Sequence, residues 1–360
     1  MRFLECFDSG VLPPVSTSGG NVVFDLRPTG SIMNVLVVDA PDPLVVDLLV
    51  EGKAGGFIVG QGLLIGRDNG EFRPVPVEQV EPGKLRAAVE GGGELRLATR
   101  YPYGRDALDR LICETRGAAH LQVRLLERDH RMLPTFEFRQ ADDPERVHFL
   151  IAGEDAWETA GSWVADATVR LLCRDADLAR TLLTRSALCI VPLASPYSAA
   201  QPAGSYTTLE GRGIYGAATW CDPTPPPEYG LIRHEVEEAI RTRRLGLMLT
   251  IHSWQAQQPY SEMEFIRSAG ERVIEGARLE WAERTLEALM RDVPKGRTRA
   301  AEKIWHSGLA RDYLLSEHDA ITFRIEVTTA GQGRGGFRAT GEQMLRNLAT
   351  IEDWAPACGG

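Results

Sequence analysis

At 360 residues, 43% hydrophobic and 25% charged, the chain has an ordinary globular composition and room for two domains, or one large α/β domain with an accessory unit. A net charge of −10 argues against the basic surface needed for sequence-independent nucleic-acid binding. No run approaches the ~18–20 apolar residues of a membrane span. The start Met1-Arg-Phe-Leu-Glu-Cys6 lacks the basic-then-apolar pattern of a secretory signal, so a cytoplasmic protein is expected. The six cysteines, at positions 6, 113, 173, 189, 221 and 358, show no Cys-x-x-Cys spacing and read as reduced thiols.

Residues 1–97 are β-rich. Val22–Leu26, Asn34–Val38 and Leu44–Val50 carry many β-branched residues, punctuated by Pro41, Pro43, Gly52, Gly55-Gly56 and Gly91–Gly93. Short strands separated by such turn signals predict a small sandwich-like domain with a structural or substrate-shaping role.

From residue 98 the texture changes to a second domain running to 360. Arg105–Ile112 has a helical pattern, and His120–Leu126, Pro134–Phe138 and Val147–Ile151 read as strands. Helical spacing follows over 160–173 and 175–185, then a buried strand over 187–193. A long Gly/Ser/Pro loop covers 195–227, a length usually tied to function. A charged helix over 228–244 precedes a strand at Gly246–Ile251 that ends at His252. The Glu/Arg-rich stretch 261–293 reads as helix, 320–325 as a last strand ending at Glu326, and 340–350 as a final helix. This alternation predicts an α/β domain built on a mixed sheet flanked by helices.

The run Val147–Glu158 draws the eye, because an apolar strand ends abruptly in Glu154, Asp155 and Glu158 just before a helical pattern. Open α/β sheets place their ligands at such strand ends. Taken alone, the stretch reads as a solvated acidic helix cap before it reads as a site, since carboxylates are favoured at helix N-termini. His252 and Glu326 close two further strands, so three strand ends are expected at one crevice. Two carboxylates and one imidazole suit a zinc ion with an open position, and a further carboxylate suits a general base.

These segments resemble the zinc carboxypeptidase (funnelin) superfamily, and the N-terminal β unit resembles the arrangement of its cytosolic carboxypeptidase branch. Ala152–Thr159 is similar to the family's His-x-x-Glu zinc motif, with Asp155 in place of the histidine. Thr250-Ile-His252-Ser253 resembles the segment of the second histidine, and Ile321–Val327 that of the general base. Ser307-Gly308 followed by Asp312 is similar to the substrate-pocket segment, and Tyr101-Pro-Tyr103 to the domain junction. The resemblance implies Zn2+ on Asp155, Glu158 and His252, and Glu326 activating a zinc-bound water against an amide carbonyl. It also admits another divalent ion, such as manganese or iron.

The departures are as informative. Where the family has an Asn-Pro-Asp-Gly loop this chain has Ala194-Ser-Pro-Tyr197, its oxyanion arginine falls near Thr207, and its carboxylate-binding Asn-Arg pair falls at Ala217-Ala218. Without such charge-assisted donors a general C-terminal exopeptidase loses its physical basis. The expected substrate is therefore a modified peptide or amino-acid conjugate, as in a bacterial specialised-metabolite pathway. Arg212, Trp254, Trp305 and Asp312 are expected to line its pocket, and Arg233, Arg334 and Arg338 are further oxyanion candidates. The alternative is a catalytically inactive carboxypeptidase-like binding module. Gly331–Gly336 lacks the Lys-Ser/Thr pair of a phosphate loop and is expected to be a mobile loop that does not open into a helix.

Overall fold

The computed structural model describes residues 1–4, 10–29, 32–51, 54–67, 71–155, 158–199, 218–253, 259–302 and 308–351. Two five-stranded sheets form the N-terminal unit. One holds Arg2–Leu4, Asn34–Ala40, Gly93–Ala98, Leu63–Arg67 and Glu71–Val75, and the other Val15–Ser18, Asn21–Asp25, Leu44–Leu49, Lys84–Val89 and Glu78–Glu81. Alternating Val22, Phe24, Leu44, Val46 and Leu48 meet Val35, Val37, Ile65, Leu95 and Leu97 in one apolar cluster between the sheets. Period-two alternation thus produces the sandwich core.

The larger unit is a mixed eight-stranded sheet. Its order is Leu121–Arg128, Arg131–Phe138, Ser186–Val191, Arg146–Ala152, Leu245–His252, Phe323–Glu326, Ser261–Ile266 and Gly296–Ala301. The strands from Ser186–Val191 through Phe323–Glu326 run parallel. Their near-continuous burial is what a sheet covered on both faces requires. Helices Thr159–Arg174, Gly276–Leu289 and Arg334–Ile351 pack one face around Leu249, Ile251, Phe323 and Ile325. Helices Pro227–Arg241 and Ala310–His318 pack the other around Met248, Phe149 and Val191.

Two sequence expectations are corrected. The stretch 261–293 is not one helix: Ser261–Ile266 is a strand, Ser268–Ala269 pairs with Arg272–Val273, and only Gly276–Leu289 is helical. Glu262, Met263, Glu264 and Phe265 alternate polar and apolar, and that period of two outweighs the helical charge spacing once Met263 and Phe265 are buried. The glycine-rich run does open into a helix, since Arg334–Ile351 begins inside it. Further along, Gly341 lets this helix lie against the Val164 carbonyl, where a Cβ would come within 2.4 Å. Among the described residues, no helix is long and apolar enough to cross a membrane.

Candidate metal centre

Three neighbouring parallel strands deliver the site. Strand Arg146–Ala152 ends in Gly153, whose φ of 65° turns the chain in a way that favours glycine. The turn is tied down by Ser195 Oγ, which donates to the Gly153 carbonyl at 2.6 Å. Glu158 N donates to the Asp155 carbonyl at 2.9 Å, and helix Thr159–Arg174 starts at the next residue. Gly161 in its first turn brings the helix onto strand Leu245–His252, where a Cβ would lie 2.3 Å from the Ile251 carbonyl oxygen. His252 and Glu326 are register partners at the ends of adjacent parallel strands, so both project from the same face.

One ligand atom each from Asp155, Glu158 and His252 falls within 4.8 Å of the others. None of the three residues is more than 5% exposed. His252 Nδ1 lies 2.8 Å from Glu158 Oε2, which also accepts from Ser253 N at 3.0 Å. Burial pushes the Glu158 carboxyl up, but the facing imidazole and these hydrogen bonds hold it below the usual carboxylate range. Burial likewise lowers His252, while Glu158 and Glu154 together raise it to about 9. Two carboxylates and an imidazole, dry and mutually close, are a donor set that fits a zinc-sized divalent cation.

Glu154 belongs to the same cluster, although the strand-end reading of the sequence gave it no role. It is 3% exposed, its Oε2 lies 3.0 Å from His252 Nε2, and its Oε1 accepts from Trp220 Nε1 at 2.7 Å. The Tyr229 hydroxyl donates to its carbonyl. Its place beside Asp155, in a run whose next acid is Glu158, was its sequence signal. The distant partners Trp220 and Tyr229 carried none.

Glu326 is 5% exposed and its carboxylate accepts from Arg324, two residues earlier on the same strand face. Opposite lie Glu262, the register partner of Glu326, and Glu264, the partner of Arg324. Arg311 Nη1 donates to Glu264 Oε1 at 2.5 Å. A charged row therefore crosses strands Phe323–Glu326 and Ser261–Ile266 and reaches helix Ala310–His318, whereas the other face of these two strands is apolar. Arg324 is an arginine beside the proposed base that sequence reading passed over.

Of the expected pocket residues, Arg212, Trp254 and Trp305 lie outside the described residues, as do the Thr207 and Ala217 positions. Asp312 is half-buried in the first turn of helix Ala310–His318, where its Oδ2 accepts from Gly308 N at 3.3 Å. Arg233 is not poised as an oxyanion donor, because its Nη1 donates to the carbonyls of Trp220 and Asp222 at 2.8 and 2.7 Å. Arg338 pairs with Glu342 on the surface, and Arg334 stacks over Trp163 at 4.1 Å.

Neither a protein-family model nor a curated protein matches the chain. Solved structures do. A metallo-carboxypeptidase from Burkholderia cenocepacia superposes with a TM-score of 0.85 at 17% identity, covering 98% of each chain. The chain has the metallo-carboxypeptidase fold. A Pseudomonas aeruginosa metallo-carboxypeptidase in complex with (2-guanidinoethylmercapto)succinic acid gives 0.83 at 19% identity, over 98% of this chain and 99% of that one. Bovine thrombin-activatable fibrinolysis inhibitor, in complex with tick carboxypeptidase inhibitor, gives 0.51 at 13% identity over 70% of this chain and 96% of that one. The bacterial carboxypeptidases therefore share the N-terminal β unit as well as the catalytic-type sheet, since each spans nearly the whole chain.

Proposed function

We propose that this protein is a metal-dependent amide hydrolase of carboxypeptidase type, nearest the cytosolic branch, with Asp155 in a variant Asp-x-x-Glu metal motif. The observation that carries the reading is the meeting of Asp155, Glu158 and His252 at one point, with Glu326 in register beside His252. Zinc, or another divalent ion, would be held by those three side chains and would supply Lewis acidity to the scissile carbonyl. Glu326 takes a proton from the attacking water and passes it to the leaving nitrogen. Glu154 holds the far nitrogen of His252 and so fixes which nitrogen faces the metal. Arg324 steadies the Glu326 carboxylate and supplies positive charge where the carboxypeptidase resemblance offers no arginine of its own.

The missing carboxylate-binding pair supports a modified peptide or amino-acid conjugate as substrate rather than an ordinary C-terminus. Cleavage of an amide panel by the wild type and Glu326→Gln tests the mechanism. A loss of about 10²–10⁴-fold with metal content unchanged is expected, and equal rates would sink it.

A second reading, an inactive binding module, draws on one observation. Glu154, His252 and Glu158 already satisfy one another as a buried carboxylate–imidazole–carboxylate triad without any metal. Elemental analysis separates the two, since the module predicts neither stoichiometric metal nor uptake on addition.

A further inference from the structure

On the opposite face of the sheet from the charged row, the start of helix Arg334–Ile351 is built unlike an ordinary cap. This helix is 18 residues long and has no acidic residue in its first turn. The amides of Gly336 and Phe337 return to the Gly333 carbonyl at 2.9 and 3.2 Å, and those of Arg334 and Gly335 have no acceptor among the described residues. A helix start of this kind carries partial positive charge, and here a cationic residue stands on it.

The side chains around it are the second observation. Gln332 is 9% exposed, yet among the described residues neither its Oε1 nor its Nε2 has a hydrogen-bond partner. Its carboxamide lies across the first helical turn, with Oε1 2.7 Å from where a Cβ of Gly336 would be. Thr329, 3% exposed, leaves its Oγ1 equally unpartnered. The Arg334 guanidinium covers the Trp163 ring with its Nε buried and unpaired, and the indole Nε1 beneath it has no partner either. Burial, reinforced by Arg110 and only partly offset by Asp166 and Glu71, pushes Arg334 below its ordinary value. Each unpaired buried polar group costs about 1–3 kcal/mol. Gln332 and Arg334 thus set unpaired polar atoms beside the first turn of this helix, flanked by those of Thr329 and Trp163.

We propose that the Thr329–Gly336 turn and Arg334 form an anion-binding site for an oxyanion of the phosphate class. The Arg334 and Gly335 amides and the Arg334 guanidinium donate to its oxygens. Gln332 donates through Nε2 and accepts, through Oε1, from a protonated phosphate oxygen. Gly335, where a Cβ would meet nothing within 4 Å, leaves the helix start open to an anion. The site does not depend on whether the metal centre turns over, because it lies on Arg334 and Gln332 rather than on any proposed metal ligand.

The test uses the full-length protein titrated with inorganic phosphate, with sodium chloride holding ionic strength constant, and reads melting temperature and calorimetric binding. Saturable stabilisation is expected in the wild type. Arg334→Gln should weaken phosphate binding at least tenfold with metal content unchanged. Gln332→Glu, which places a carboxylate of its own at the helix start, should raise the melting temperature without phosphate and abolish the response to it. Equal phosphate responses in all three proteins, or no saturable response in the wild type, would overturn the proposal.

Discussion

Oε2 of Glu154 lies 3.0 Å from Nε2 of His252, on the side of the ring turned away from Glu158. One carboxylate therefore orients the imidazole that a second shares with the metal position. Exchange of Glu154 for glutamine keeps the bond from Trp220 but loses the charge behind the ring. Zinc affinity, measured by competition with a chromophoric chelator, should fall by about 10–100-fold. Unchanged affinity would reduce Glu154 to a packing residue.

Asp155 makes the ligand set more anionic than one with two imidazoles, which weakens the Lewis acidity of a bound ion. Asp155→His should retain stoichiometric metal and move the ascending limb of kcat/KM against pH to lower pH. A limb that stays in place would show that Asp155 does not face the ion.

Gly161 is the point where helix and strand backbones touch. A methyl there has nowhere to go but into the Ile251 carbonyl, which lies next to His252 in the strand. Gly161→Ala should destabilise the fold by about 1–3 kcal/mol in denaturant titrations and lower metal affinity with it, because the displaced helix begins at the residue after Glu158. Destabilisation with full metal affinity would place the strain elsewhere.

Glu264 supplies a pH signature outside the metal centre. Burial pushes its carboxyl up, but the charges of Arg311 and Arg324 outweigh that and hold it below the ordinary value of 4.5. A folded value below the unfolded one stabilises the protein above about pH 4.5 and loses that contribution as pH falls through the folded value. Glu264→Gln should therefore cost about 3 kcal/mol at pH 7, as for a buried pair losing one partner. The gap to wild type should close on acidification, and a gap independent of pH would refute the assignment.

The strand ends were legible because His252 and Glu326 each terminate an apolar run, and adjacency of parallel strands follows from α/β topology. Asp155 and Glu158 were legible through the resemblance of their spacing. Glu154 was not, since its meaning lies in Trp220 and Tyr229, 66 and 75 residues away. Arg324 was hidden for a different reason: an arginine alternating with Phe323 and Ile325 reads as a strand's solvent side, and only the pairing with Glu264 and Glu326 shows that side to be half-closed. The strand Ser261–Ile266 was lost to the charge-rich helix that follows it, although its own alternation was visible.

Strand Phe323–Glu326 occupies an interior place in the sheet, between Leu245–His252 and Ser261–Ile266. During synthesis both neighbours therefore leave the ribosome well before the strand that separates them. Until it arrives, the apolar 245–252 segment presents an open edge suited to mispairing with another chain or with the wrong partner. Nascent chains halted just short of residue 323 should for that reason be a preferred client of chaperones, and the candidate metal centre is completed only in the last stages of translation.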